Sequence, residues 1–199
     1  MRQAKNDRRS RRTRQLLMQA MVELIRAKPY DHITVQEITD RADVGRSTFY
    51  AHFTHKDDLL VDGVHRMLDH LDTAIDTAAP GRLLYPTQAL FHHIGAQGEL
   101  YQTMARGPSL GIFITALQDQ LTVLFTDRLA ARVPSGATTA VPPALLAAMI
   151  AGMLVTAIRT WVENGLNGSA ESIDRAFHIA AGPAIRAGLR PTDNGSPAA

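Results

Sequence analysis

Apolar residues recur at the spacing of an α-helix along nearly the whole chain, and no stretch shows convincing strand-type alternation. That pattern constrains the fold most: the class expected is all-α. In the first segment Leu17, Met21, Leu24 and Ile25 fall on one face, and the helix should stop near Lys28-Pro29, where proline forbids continuation. Thr34-x-x-Glu37 is a capping box, with Ile33 and Ile38 placed as a hydrophobic staple. A short helix therefore starts there and runs to about Arg41. A break at Asp43-Val44-Gly45 separates it from a second short helix, Arg46 to about His52. Thr54-x-x-Asp57 repeats the capping pattern and opens a long helix with Leu60, Val64, Met67, Leu68, Leu71 and Ile75 as its buried stripe, ended by Ala79-Pro80-Gly81.

Pro86 and Pro108 fit the first turns of further helices, at about 86–105 with a break near Gly95–Gly98, and at 108–132. Residues 133–141 read as a loop. Pro142-Pro143 opens an apolar helix that should end at Asn164-Gly165 in a left-handed cap. The last amphipathic helix, about 170–188, is expected to turn Ile173, Phe177, Ala180 and Ile185 inward and to kink at Gly182-Pro183. The tail 191–199 is small, polar and expected to be disordered. No internal repeat is present.

At 199 residues the chain is long enough for one large domain or a small one beside a larger one. It has no cysteine, so disulfides and thiolate metal sites are ruled out. The basic N-terminus is not followed by the apolar stretch of a signal peptide. The longest apolar run, Ala144 to Ile158, is shorter than the ~20 residues a membrane span needs, and reads as a buried helix. No membrane association is expected, and the compartment expected is the cytoplasm. The net charge of +2 hides an asymmetry: residues 1–56 hold 12 Lys/Arg against 6 Asp/Glu, and residues 57–199 hold 9 against 13. A basic front on an acidic body suits contact with a polyanion at one end. Charge alone equally fits a solvated basic tail.

Two short helices joined by a tight turn, packed on a longer one, are the parts of a helix-turn-helix. The second must be polar outside to enter a major groove and apolar inside to hold its angle. Arg46 to Phe53 supplies both: Phe49 and Phe53 are spaced for the core, while Arg46, Ser47, Thr48, Tyr50 and His52 offer donors outward. Thr34-Val35-x-x-Ile38, Ala42-x-Val44, Thr48-Phe49-Tyr50-x-His52-Phe53 and Lys56-x-x-Leu59 are similar, in order and spacing, to the DNA-binding signature of the TetR family of regulators. The resemblance covers about residues 10–60; beyond it only the helical layout and Trp161-x-x-x-Gly165 are shared. One departure is Asp43, where the family usually has glycine, and Gly45, where it has a small polar residue. A turn with its glycine two residues later would account for both, and Asp43 should point away from DNA phosphate.

The resemblance implies that Thr34, Thr48, Tyr50, His52 and Lys56 contact phosphate, a role their donors suit. Arg46 and Ser47 lead the recognition helix and are the candidates for base edges, since arginine pairs bidentately with guanine. Arg8, Arg9, Arg11, Arg12 and Arg14 either reach an adjacent minor groove or add non-specific attraction. Gly107-Pro108-Ser109-Leu110-Gly111 matches a nucleophile-elbow pattern, but that motif needs a preceding strand, and Leu100 to Arg106 reads helical. His65 and Asp69, with His70, His92 and His93, invite a metal reading. Adjacent histidines diverge by roughly 100° on a helix, so the bland reading of pocket or surface imidazole is preferred. Met67, Leu71, Phe91, Tyr101, Met104 and Phe113 are the candidates to line an apolar pocket, with core packing as the competing reading.

The expectation is a non-enzymatic, cofactor-free transcriptional regulator, a ligand-responsive repressor of the TetR type that binds a near-palindromic double-stranded operator. Residues 1–54 would form the DNA-binding domain, with 1–9 as a flexible basic arm. Residues 55–190 would form a helical domain that senses an apolar small molecule and pairs two chains through the helices at about 142–165 and 170–188. The rival class is a helical enzyme or ligand carrier without nucleic acid.

Overall fold

The computed structural model describes residues 2–73 and 86–192. Its elements are α1 (Arg2–Ala27), a 3-10 turn (Tyr30–His32), α2 (Val35–Ala42), α3 (Arg46–Tyr50), α4 (Lys56–Thr73), α5 (Thr87–Ala96), α6 (Gly98–Ala105), α7 (Ser109–Ala130), α8 (Pro143–Glu163) and α9 (Ala170–Gly188). Among the described residues there is no strand, and Thr139 and Pro191 form an isolated bridge. The all-α expectation therefore holds. The break near Gly95–Gly98 is real, separating α5 from α6. The expected arm 1–9 is helical from Arg2, as the start of α1.

Packing gathers the chain into two compact units, neither of them continuous in sequence. The first holds residues 1–67 with 97–116, and the second holds 68–96 with 117–199. The grouping places α6 and the first turns of α7 with the N-terminal helices. In the first unit Leu17, Met21, Leu24 and Ile25 are buried on α1, beside Ile33, Ile38, Phe49, Phe53, Leu59, Leu60 and Val64. Burying such a set supplies most of the driving force, at roughly 1.5–3 kcal/mol per side chain. Arg41 to Glu23 (3.1 Å) ties α2 to α1, and Arg14 to Asp62 (3.2 Å) ties α1 to α4.

In the second unit α9 packs on α5 and α8. Leu146, Ile150, Leu154, Val155, Ile158, Trp161 and Val162 fill the inner face of α8. The end of α8 is locally encoded. Gly165 is left-handed (φ 74°), Leu166 N–H reaches the Trp161 carbonyl (2.8 Å) and Gly165 N–H the Val162 carbonyl (3.0 Å), a Schellman ending. α7 and α8 are long and apolar enough to cross a membrane by length and composition, yet 44% and 50% of their most apolar windows are buried inside the protein. α8 is longer than its uninterrupted apolar run because Pro143 and the polar turn to Glu163 extend it.

Three local expectations need correction. Asp57 does not cap α4: its carboxylate is taken by the Tyr30 hydroxyl, and Asp58 instead accepts from the N–H groups of Thr54 (2.8 Å) and His55 (2.9 Å). On α9 Phe177 and Ile185 are buried with Ala181 and Gly182, whereas Ala180 is exposed, so the buried stripe lies one residue further round. Pro191 and Thr192 are tied down by the 138–141 loop, through Thr192 N–H to the Thr138 carbonyl (2.9 Å) and Ala140 N–H to the Arg190 carbonyl (2.9 Å). The rest of the expected tail, together with Ile75 and the stop at Ala79-Pro80-Gly81, lies outside the described residues.

Candidate nucleic-acid interface

The capping box that starts α2 is complete. Thr34 Oγ1 accepts from Glu37 N–H (3.2 Å), and Glu37 Oε2 accepts from Thr34 N–H (2.9 Å) and from its hydroxyl (2.9 Å). Lys28 pairs with the other Glu37 oxygen. These contacts, led by that of Lys28, hold the Glu37 carboxyl at about 2, well below the usual carboxylate range. Ile33 and Ile38 are both buried, as a staple requires.

α2 ends on Asp43, which is left-handed (φ 53°, ψ 48°), while Gly45 is extended (φ −70°) and starts α3. The expected shift of the turn glycine is thus wrong. The left-handed position is where the related signature has glycine, and here an aspartate occupies it, one of the few L-residues that visit this region readily. Val44 N–H closes the turn on the Thr39 carbonyl (3.0 Å).

α3 is short, and Phe49 anchors it. That ring is fully buried and meets Phe53 at 5.6 Å and Tyr50 edge-on at 5.4 Å. The anchor leaves the other side of the helix outside. Arg46, Ser47 and Tyr50 are exposed, and Thr48 and His52 are half-buried. Among the described residues none of these five side chains has a protein hydrogen-bond or ion-pair partner, and the Arg46 guanidinium lies 6.0 Å from the Tyr50 ring centre. Thr34 is exposed, but its hydroxyl is engaged in the capping box.

Lys56, also expected at phosphate, has its ammonium engaged within the protein. Its ammonium donates to the carbonyls of Tyr30 (2.8 Å), Ile33 (2.9 Å) and Asp31 (3.4 Å), and sits 4.4 Å from the Tyr30 ring centre. All three donors are used in holding the 3-10 turn to the start of α4. Beside it the Tyr30 hydroxyl is pushed up by burial and by Asp57, and stays neutral. Arg14 likewise leaves the group of free basic residues, pairing with Asp62 and lying 5.9 Å from the Phe53 ring centre, whereas Arg8, Arg9, Arg11 and Arg12 are exposed on α1.

The residues expected to line an apolar pocket are divided between the two units. In the first unit Tyr101 stacks edge-on against Phe113 (5.1 Å) and its hydroxyl points to the Met67 sulfur (3.7 Å); Tyr101, Phe113 and Met104 are each at most 4% exposed. In the second unit Phe91 is fully buried against Trp161 (5.9 Å), and Leu71 is half-buried. Ser109 opens α7, buried, with its hydroxyl toward the Met104 carbonyl (3.4 Å), so the elbow pattern is a helix start. His92 pairs with Glu171 (3.0 Å), and no group of three metal-ligating side chains occurs among the described residues. Burial, with His70 nearby, lowers the His93 pKa and favours its neutral ring. Sequence reasoning missed a cleft between the end of α1 and the α6–α7 turn, because no motif marks it.

A short donor-bearing helix, set by a tight turn on a capped second helix and a long first one, defines a helix-turn-helix domain. Residues 17–62 match the sequence model of the bacterial regulatory proteins of the tetR family. The likeness to that family is carried by this N-terminal stretch. It is 37% identical over 73 residues to YxbF, an uncharacterized HTH-type transcriptional regulator of Bacillus subtilis (strain 168), a match covering 34% of this chain and 19% of that protein. It is 30% identical over 83 residues to the HTH-type transcriptional regulator TcmR of Streptomyces glaucescens, covering 42% and 36%. The matches thus span about a fifth and about a third of these relatives. The whole fold is shared more widely. The TetR-family repressor AlkX from Dietzia sp. superposes with a TM-score of 0.58 at 15% identity, over 88% of this chain and 98% of that one. Thermus thermophilus FadR, solved in complex with lauroyl-CoA, gives 0.55 at 16% identity, over 94% and 100%.

Proposed function

We propose that the protein is a sequence-specific DNA-binding transcriptional regulator, a ligand-responsive repressor that acts as a homodimer in the cytoplasm. One observation carries this reading: Arg46, Ser47, Thr48, Tyr50 and His52 surround a short helix with side-chain polar atoms that have no hydrogen-bond or ion-pair partner among the described residues. Unpaired donors around an anchored helix suit phosphate oxygens and base edges. Arg46 and Ser47, at the leading end of α3, read bases, and Thr48, Tyr50 and His52 hold phosphate. Thr34 contacts phosphate while keeping its place in the cap. Lys56 positions the turn rather than the DNA.

Dimerisation is supported by what one chain leaves uncovered. Leu145 and Met149, one turn apart on α8, are 55% and 57% exposed, and Ile179 on α9 is 69% exposed. Helices this apolar are expected to be covered. The partner is a second copy pairing through α8 and α9, so that two reading heads meet a near-palindromic operator. The effector is a small, largely apolar molecule bound within the helical part of the chain, a reading that Thermus FadR with its acyl-CoA supports through shared fold. Its binding would shift the populations of the operator-binding and released states.

Selection from random duplex DNA tests the proposal. The expected result is an inverted repeat with half-sites about 34–36 Å apart or a multiple of that, bound with steep salt dependence. A single asymmetric site bound by one chain, or no enrichment, overturns it.

A further inference from the structure

A cleft of about 290 Å³ lies in the first unit, between the last turn of α1 and the α6–α7 turn. Arg26 and Lys28 line it from one side and Arg106 from the other, against a single acid, Asp31. Arg26 and Arg106 are exposed and have no ion-pair or hydrogen-bond partner among the described residues. Two unpaired guanidinium forks across a concavity suit a planar or tetrahedral anion, which arginine grips bidentately. The start of α7 at Ser109 belongs to the same wall, and the leading N–H groups of a helix lack intrahelical acceptors. The Ser109 hydroxyl is turned to the Met104 carbonyl, so the cations and the backbone set the polarity. The volume is at the lower end of small-molecule pockets, roughly 300 Å³ and upward.

We propose that this cleft binds a small anion bearing a carboxylate or phosphate group, at a site distinct from the expected apolar effector pocket. Lys28 gives the site a route to the DNA-reading surface. Its ammonium is the one that holds Glu37, and Glu37 closes the capping box of α2. An anion in the cleft competes for Lys28, loosens the start of α2 and lowers operator affinity. This second step rests on the DNA-binding reading; the binding step does not.

Calorimetric titration of the full chain with inorganic phosphate and with citrate, at ionic strength held constant with sodium chloride, tests the site. Saturable binding is expected in the wild type, weakened at least tenfold in Arg106→Gln and in Arg26→Gln, with Arg106→Lys between. Binding unchanged by all three substitutions, or none in the wild type, overturns the site. Circular dichroism checks that each variant is folded, and exposed positions tolerate such changes. On a selected operator, phosphate should reduce affinity in the wild type and not in Arg106→Gln, whose affinity without phosphate should equal that of the wild type. Saturable binding with no such difference overturns the coupling and leaves the site standing. Failure of every variant and the wild type to bind any operator removes the DNA reading, while the calorimetric result still stands.

Discussion

Arg46 and Lys56 are both cations close to the reading helix, but their surroundings give them different work. Arg46 is exposed and, among the described residues, has the Tyr50 ring as its one side-chain contact of this kind. Arg46→Ala is expected to cost about 1–3 kcal/mol of operator affinity and to relax preference at one base pair, as a mismatch library would show. Lys56 has its donors on three backbone carbonyls. Lys56→Met should therefore lower stability by about 2 kcal/mol, since charge-assisted hydrogen bonds are lost, without changing the slope of affinity against salt. A melting curve and a salt titration on the same sample separate the two effects. Sequence could not make this distinction. A lysine at signature spacing announces a donor, but its acceptors lie 23 to 26 residues back in a turn whose path only the fold sets. Asp43 was half legible: the departure from glycine was visible, the left-handed backbone was not. Asp43→Gly should gain about 1 kcal/mol, because it relieves the left-handed strain, raising the melting temperature by roughly 2–4 °C in a chain of this size. It should also tighten operator binding by removing a negative charge beside α3. Asp43→Asn, which keeps the side chain and loses the charge, should tighten binding with little gain in stability.

Among the elements, α2 was the most legible, because its start is written within the six residues from Ile33 to Ile38. Its cap also has a pH signature. The Glu37 carboxyl is held at about 2 in the folded chain, below the ordinary value of 4.5, so the unfolded state takes up its proton first as pH falls. The stabilisation from ionised Glu37 is thus complete above about pH 4.5 and is lost between there and pH 2. The melting-temperature difference between wild type and Glu37→Gln should be constant from pH 5 to 8 and shrink steadily below. A difference that persists at pH 2 would assign the effect to packing. α4 was less legible at its start: Thr54-x-x-Asp57 has the right spacing, but Tyr30, 27 residues earlier, takes Asp57 and leaves the capping to Asp58. At the other end of the chain, α9 packs so closely that a β-carbon on Gly188 would come within 2.8 Å of a Leu146 methyl. Gly188→Ala is expected to cost about 1–3 kcal/mol through overpacking, and Leu146→Ala in the same chain should recover part of the clash while opening its own cavity.

For the whole molecule, the all-α class was legible from periodicity, and the two-unit grouping was not. The union of α1 with α6 joins segments about seventy residues apart, which no local pattern encodes. The same limit explains the pocket candidates. Aromatic and methionine residues at helical spacing look alike whether they line a cavity or fill a core, and Tyr101, Met104, Phe113 and Phe91 are as buried as core residues. The exposed apolar surface on α8 and α9 carries the last prediction. Met149→Glu should leave the monomer folded, since the side chain is 57% exposed, yet shift sedimentation to the monomer and abolish cooperative occupancy of a two-half-site operator. A dimer that survives Met149→Glu combined with Ile179→Glu would place the contact elsewhere.

That uncovered strip has a consequence for how a cell would experience the protein. If the chain must pair to grip its operator, then below the dissociation constant of the pair the active species grows as the square of the amount made. Halving expression would then leave about a quarter of the active form. A promoter governed in this way would answer gene dosage and dilution at cell division more steeply than one held by a monomer, before any small molecule enters.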